Sequence, residues 1–494
     1  MAEAHAPLPP DRLVLLRLSG DIGTKARGTR QRFADRLVQN LRDALVSEGI
    51  EPRIRARRER LFVESPAPGA LEIASRVFGV QSLSLVERRP GASLDAIVRA
   101  GAERFRAAVA GRRFAVRARC VGDRGARAFS TRDIERALGE ALRPASAGVD
   151  LTQPEITVRV EVFEGDAYFF TDVQRAHGGL PIGVEGRAVA LASGGFDSAV
   201  AAWMMLRRGV ALDYVFCNLG GDTHLHGVLR VLKVLADRWS YGSRPRLHVV
   251  DFQPLSEHLQ ERAARRYWQV LLKRLMVRAA ESIARPRRGL AIVTGEAVGQ
   301  VSSQTLQNLS VISRAAGLPI LRPLVGFNKE EIIERSQAIG TYALSAVVGE
   351  YCAIVPKRPA TAAAHAAVRG EEANLDLGLL ERAVEARAEL DLRAVDLDKL
   401  ELPEIEIQHV PEGATVLDVR SRAEYRSWHY PDALQLDFAQ ALKAYPSFDR
   451  AQTYVLYCEF GLKSAHLAEL MRREGLEAFN FKGGVKALRR YAPS

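Results

Sequence analysis

Residues 188–198 read AVALASGGFDS, and this stretch organises the rest of the chain. Val189 to Ala192 is a short apolar run that fits a strand buried on both faces, and Ser193, Gly194 and Gly195 end it at once. From Asp197 onward, Ala199, Val200, Ala202, Trp203 and Leu206 recur at helical spacing, so the turn lies between a strand end and a helix start. Two adjacent glycines let backbone N–H groups turn toward one ligand, and the helix terminus adds partial positive charge. Such a nest suits a phosphate. Ser193 and Ser198 add hydroxyl donors, and Asp197 beside them makes sense as a metal partner or as an orienting group. A bare SGG is more often only a tight strand-to-helix connection. No GKS or GKT follows, so the turn is not a Walker A loop.

Strands and helices alternate from residue 188 to about 345, which predicts a doubly wound parallel sheet whose ligand crevice lies at the C-terminal strand ends. A second candidate strand end is residues 293–309, VTGEAVGQVSSQTLQNL. It would bring Gly295, Glu296, Gly299 and Gln300 to the crevice of Ser193–Ser198. Ser302, Ser303, Gln304 and Thr305 offer hydrogen-bonding side chains there, although SSQT also reads as an ordinary helix cap. Lys273, within LLKRLMVR, reads by itself as a solvated lysine on an amphipathic helix. Residues 361–403 read as a connector with a helix over Leu379–Leu390.

Upstream, residues 11–75 run β-α-β-α, with a basic segment Arg53–Arg60 between the first helix and the next strand, and predict a small α+β unit of ferredoxin-like type. In RFAVRARC, residues 113–120, alternation leaves Phe114, Val116 and Ala118 on one face and exposes Arg113, Arg117 and Arg119. Such a strand can track phosphates, but simple solubility is by itself the better explanation.

Residues 404–494 form a separate small α/β pattern. After TYVLY, residues 453–457, a cysteine ends the strand and a short turn leads into a helix, as CEFGLKSAHLAEL. Backbone N–H groups, the helix terminus and Lys463 would stabilise a Cys458 thiolate, which predicts an unusually acidic and reactive thiol.

With 494 residues the chain exceeds one core and predicts roughly three or four domains. The net charge of +11 is concentrated in residues 1–350, while 351–494 carry a slight negative balance, so a polyanion would be drawn to the first two thirds. No run of about 18 uncharged apolar residues occurs and the first residues lack the pattern of a secretory signal. A cytoplasmic protein without a membrane association is expected. Cys120, Cys217, Cys352 and Cys458 lie far apart with no zinc-type spacing, which leaves buried or reactive thiols.

SGGFDS after a buried strand resembles the PP-loop of the N-type ATP pyrophosphatases, which cleave ATP between the α and β phosphates and adenylate a carbonyl oxygen. RFAVRARCVGDRGARAFSTRDIERALGEAL and PEITVRVEVFEGDAYFF, followed by GGLPIGVEGRAVALASGGFDS, resemble an RNA-binding THUMP domain joined to a PP-loop domain. That combination is similar to the tRNA 4-thiouridine synthetases, or tRNA sulfurtransferases. LDVRSRAEYRSWHYPDAL with CEFGLKSAHLAEL resembles a rhodanese domain, with Cys458 at the persulfide-carrying position and Asp418, Arg420, Glu424 and His429 in structural roles. Trp428 and Asp432 stand where small residues are common.

The resemblance implies a multidomain α/β and α+β chain. Its parts are a ferredoxin-like domain over 1–75, a THUMP domain over 76–175, a PP-loop domain over 176–395 and a rhodanese domain over 404–494. It implies ATP with Mg2+ as cofactors, with Leu191 and Ala192 lining the adenine side. Ser193, Gly194, Gly195, Asp197, Ser198, Lys273, Gly295 and Gln304 would contact the nucleotide, and Lys329 would lie near the adenylated oxygen. The implied reaction adenylates the C4 oxygen of uridine 8 in tRNA and replaces it with persulfide sulfur from Cys458, loaded by a cysteine desulfurase. Cys352, in EYC, matches a resolving cysteine. The resemblance also allows sulfur supply to a thiamine thiazole sulfur carrier protein. The alternative is an RNA-binding sulfur-carrier scaffold with an inactive nucleotide domain.

Overall fold

The computed structural model describes residues 12–57, 60–64, 69–91, 93–121, 128–348, 358–399 and 405–492. The chain divides into two compact units, residues 1–184 with 207–209, and residues 185–206 with 210–494.

The first unit is built on β1 (Arg12–Leu18), β2 (Arg53–Arg57), β3 (Arg60–Glu64), β4 (Val80–Arg89), β5 (Arg113–Val121), β6 (Gly148–Val149), β7 (Ile156–Phe163), β8 (Asp166–Phe170) and β9 (Gln174–Arg175). Its helices are α1 (Gly20–Gly23), α2 (Arg27–Ser47), α3 (Ala70–Arg76), α4 (Leu94–Val109) and α5 (Thr131–Leu142). The strands form one sheet in the order β2-β3-β1-β4-β8-β7-β5-β6, with β9 also pairing β4. The long strand β4 joins its two halves, antiparallel to β1 on one edge and to β8 on the other. The basic segment after the first helix is itself the edge strand β2, where Arg53, Arg55 and Arg57 stay exposed. Charged side chains on an edge discourage pairing with another chain. Inside the sheet, Glu161 is buried between the guanidinium groups of Arg17 and Arg60. Phe114 and Val116 of β5 enter the core beneath α4 and α5, while Arg113, Arg117 and Arg119 are exposed, as their alternation predicts.

The second unit contains two parallel sheets. The larger comprises β10 (Arg187–Leu191), β11 (Ala211–Asn218), β12 (Arg246–Asp251), β13 (Ile292–Val293), β14 (Ile320–Leu321) and β15 (Ala388–Asp391), in the order β14-β13-β10-β11-β12-β15. All neighbours are parallel except β12 and β15. The accompanying helices are α6 (Phe196–Arg207), α7 (Gly221–Trp239), α8 (Gln253–Arg262), α9 (Trp268–Ala284), α10 (Leu306–Ser313), α11 (Lys329–Ile339), α12 (Tyr342–Val348), α13 (His365–Glu372) and α14 (Leu377–Glu385). The chain steps from β10 to β11 and β12 on one side, then crosses back to β13 on the other. The switch point of this doubly wound sheet therefore lies between β10 and β13, where ligands of such sheets bind.

The expected helix over Leu379–Leu390 is a correction. It stops at Glu385, and Ala388–Asp391 turns back as an antiparallel edge strand on β12. Cross-sheet charge decides this: Glu389 meets Arg246 at 2.7 Å and Arg287 at 3.4 Å. The segment is more than a connector, since Glu372 of α13 is buried against Arg274 at 2.6 Å on α9.

The smaller sheet, in the order β16-β20-β19-β17-β18, consists of β16 (Glu406–Ile407), β17 (Thr415–Asp418), β18 (Leu434–Gln435), β19 (Thr453–Tyr457) and β20 (Glu477–Phe481). Around it lie α15 (Arg422–Ser427), α16 (Phe438–Ala444), α17 (Leu462–Arg473) and α18 (Gly484–Tyr491). No helix among the described residues is long and apolar enough to cross a membrane.

Candidate active site

The SGGFDS stretch forms the strand-turn-helix that its sequence predicts. Ala192 N–H still donates to Val215 O at 2.9 Å, after which the chain turns through Gly194 at φ +76° and enters α6 at Phe196. A positive φ is strained for a residue with a Cβ, and one at Gly194 would also meet Val348 Cγ1 at 2.8 Å. Two serines lock the turn. Ser198 Oγ accepts from Ser193 N–H at 3.3 Å and from Ser193 Oγ at 3.2 Å, and donates to Gly195 O at 3.1 Å. The result is a short concave backbone at a helix start, exposed at Ser193 and half-buried from Gly195 to Ser198. Leu191 and Ala192 border it, each half-buried.

Gly295 is where the second strand end meets the first. A Cβ there would lie 2.6 Å from Asp197 C and 2.7 Å from both Asp197 O and Ser198 N. Only glycine lets the loop after β13 lie against the first turn of α6. Gly295→Ala must therefore push the two strand ends apart. We expect a loss of about 1–3 kcal/mol, from overpacking against backbone that cannot yield, read as a lower denaturation midpoint with an unchanged m-value. An unchanged midpoint would mean that the loop yields freely.

Asp197 lies at the centre of the polar contacts. Lys329 Nζ, from the first residue of α11, is 3.1 Å from Asp197 Oδ1, and Gln300 Nε2 donates to Oδ2 at 3.0 Å. Lys329 also sits 5.4 Å above the Phe196 ring. Glu296 is buried and committed to Arg322 Nε at 2.8 Å and Thr294 Oγ1 at 3.0 Å. Both carboxylates are thus satisfied by donors, and no group of three His, Cys, Asp or Glu side chains among the described residues could hold a metal ion. The residues present do not form a protein-built metal cage.

Gln304 braces the loop: its Oε1 accepts from Ala297 N–H at 3.2 Å, and its own carbonyl accepts from Gly299 N–H at 3.0 Å. Lys273 is half-buried on α9. It acts electrostatically on the buried Cys217 near the C-terminal end of β11, the end at which the crevice opens.

The second site is on the smaller sheet. Cys458 follows β19, and its Sγ accepts from Gly461 N–H at 3.1 Å and from Ser464 Oγ at 3.3 Å. Gly461 takes φ +92°, and Gly484 takes φ +62° where a Cβ would lie 2.7 Å from Cys458 O, so two glycines shape the loop. Lys463, in the first turn of α17, is exposed. Below the loop, buried Asp418 accepts from Arg420 Nη2 at 2.6 Å and from Tyr457 OH at 2.7 Å. Glu424 caps α15 with Ser421, and His429 stacks on Tyr425. Cys352 lies outside the described residues.

One chain thus carries a glycine-shaped turn at a parallel-sheet switch point and, on a second sheet, a thiol held by Gly461 and Ser464. Comparison with known proteins gives the family. Residues 183–377 match the family described as thiamine biosynthesis protein (ThiI), 13–84 its ferredoxin-like domain, 92–172 the THUMP domain and 405–490 the rhodanese-like domain. The chain is 36% identical to the tRNA sulfurtransferase of Pyrobaculum aerophilum, over 95% of this chain and 96% of that one. With the tRNA sulfurtransferase of Thermoplasma acidophilum the identity is 34%, over 94% of each chain. A solved 4-thiouridine synthetase–RNA complex with bound ATP superimposes with a TM-score of 0.67 at 30% identity, covering 77% of this chain and 99% of that one. The chain belongs to the tRNA sulfurtransferase family.

Proposed function

We propose that the chain binds tRNA and ATP and converts uridine 8 of tRNA to 4-thiouridine. In this reading the Ser193–Ser198 turn seats the phosphates of ATP, Leu191 and Ala192 border the adenine, and Lys273, Gly295 and Gln304 complete the nucleotide site. The C4 oxygen of uridine attacks the α phosphate and pyrophosphate leaves. Lys329 stabilises the charge that develops there, and Asp197 with Gln300 holds Lys329 in place. This assigns Asp197 as an orienting group. Magnesium would neutralise phosphate charge and be held by phosphates and water in place of a carboxylate cage.

Sulfur then arrives on Cys458 as a persulfide, loaded by a cysteine desulfurase. Its terminal sulfur attacks C4 and AMP leaves, giving a disulfide between Cys458 and the base. Cys352 thiolate attacks Cys458 Sγ, which releases the thiolated base and forms a Cys352–Cys458 disulfide. A cellular thiol reductant reopens that bond, which suits a cytoplasmic setting. The exposed arginines of β2 and β5 supply cations for the RNA backbone. The same persulfide could be passed to a thiamine thiazole sulfur carrier protein.

What supports this reading is the convergence of the Ser193–Ser198 turn, Gly295 and Lys329 on one crevice, with a cradled thiol in the same chain. Incubating the protein with tRNA and ATP labelled in the α phosphate tests its first half. Pyrophosphate and labelled AMP joined to the tRNA are expected, and only when tRNA is present. Release of ADP and phosphate, or none of these products, would leave the scaffold alternative.

A further inference from the structure

Helix α7 starts without a cap of its own: Gly220 stands at its N-cap position, where no side chain accepts from the first free N–H groups. The acceptor comes from α17, some 250 residues away. Glu469 Oε2 accepts from Asp222 N–H at 3.0 Å, Glu469 Oε1 accepts from Thr223 N–H at 2.9 Å, and the Thr223 hydroxyl donates to the same Oε1. The seat is shaped for it. Gly221 has φ +72°, and a Cβ there would stand 2.0 Å from Glu469 Oε2 and 3.1 Å from His466 Nδ1. Arg473 lies 3.7 Å from Asp222 at the rim.

Each helix leads from this contact to one of the two sites. On α7, Val228 stands against the SGGFDS turn, where a Cβ on Gly194 would lie 3.1 Å from its Cγ2 and 3.3 Å from its Cα. On α17, Ser464 and the preceding Gly461 are the donors to Cys458 Sγ, and Gly461 to Glu469 spans about 12 Å of helix. Resting on the proposed tRNA thiolation, we infer that Glu469, with His466, is a positioning residue that docks the thiol-bearing helix on α7, fixing where Cys458 stands relative to the nucleotide crevice. An ordinary domain contact would not need a buried carboxylate: burial pushes the Glu469 carboxyl up from its usual range, a cost that an apolar contact would avoid. Directional bonds to backbone N–H groups fix register more tightly than apolar packing does.

The test uses the full chain with Glu469→Lys, which puts a cation against the α7 terminus, and Glu469→Gln, which keeps one acceptor oxygen. With Glu469→Lys, amide exchange at Asp222 and Thr223 should speed at least about tenfold while the strands of the sheet keep their protection. Formation of 4-thiouridine should fall by about tenfold or more, whereas tRNA-dependent adenylation, read as pyrophosphate released in the first turnover, and loading of labelled sulfur onto Cys458 stay within about twofold. Glu469→Gln should lie between. Unchanged exchange at the two amides overturns the docking role whether or not the chain thiolates tRNA. Equal loss of all three activities overturns it as well, because it would mark a general structural defect.

Discussion

Replacing Cys458 with alanine should abolish 4-thiouridine formation, by about a hundredfold or more, and leave tRNA-dependent adenylation, read as pyrophosphate released in the first turnover, unchanged within about twofold. In the proposed reaction the two halves use separate sites. The proposed phosphate nest is built on β10 and α6, whereas the thiol follows β19 and is held by Gly461 and Ser464. Alanine fits the small buried position, and the Asp418–Arg420–Tyr457 network beneath the loop keeps all its partners. The variant should therefore fold and still activate the base, and adenylated tRNA would accumulate without thiolated product. Thiolation by Cys458→Ala with a desulfurase as donor would show that another thiol carries the sulfur.

The second large effect falls on the other half. Lys329→Ala should slow AMP formation by about a hundred- to a thousandfold, the loss seen when one preorganised donor to developing charge is removed. Stability should change by no more than about 1 kcal/mol, because the pair with Asp197 is partly exposed and such pairs contribute little. Lys329→Arg should not restore the rate, since a planar guanidinium cannot take the place of a compact ammonium. AMP formation within about tenfold of the unsubstituted chain would remove Lys329 from the role proposed for it.

Local features carried most of what the sequence disclosed. Strand, turn and helix around Ser193 are encoded by neighbouring residues, through apolar run, glycines and helical spacing, and they appear in the structure where that pattern puts them. Gly295 was legible as part of a strand-end loop, although only the close approach to Asp197 shows why no side chain is tolerated there. The side-chain partners that distant segments supply were not legible. Nothing near Asp197 announces Gln300 or Lys329 as its partners, and Glu296 looks like a free acid until Arg322, 26 positions later, is brought against it. The end of the expected helix at Leu390 failed for the same reason: pairing with β12 and the charges on Arg246 and Arg287 outweigh helix propensity over Ala388–Asp391. Glu469 is the furthest case, an ordinary glutamate on an amphipathic helix whose partner is a helix terminus in another part of the chain.

The central claim is that one chain couples base activation by ATP to sulfur delivery from Cys458. It is tested most directly by digesting tRNA to nucleosides after incubation with the purified protein, ATP, cysteine and a cysteine desulfurase, and measuring 4-thiouridine by mass spectrometry. The account predicts 4-thiouridine at position 8, dependent on ATP and absent with Cys458→Ala. Unmodified uridine in the complete reaction, or thiolation that proceeds without ATP, would contradict it.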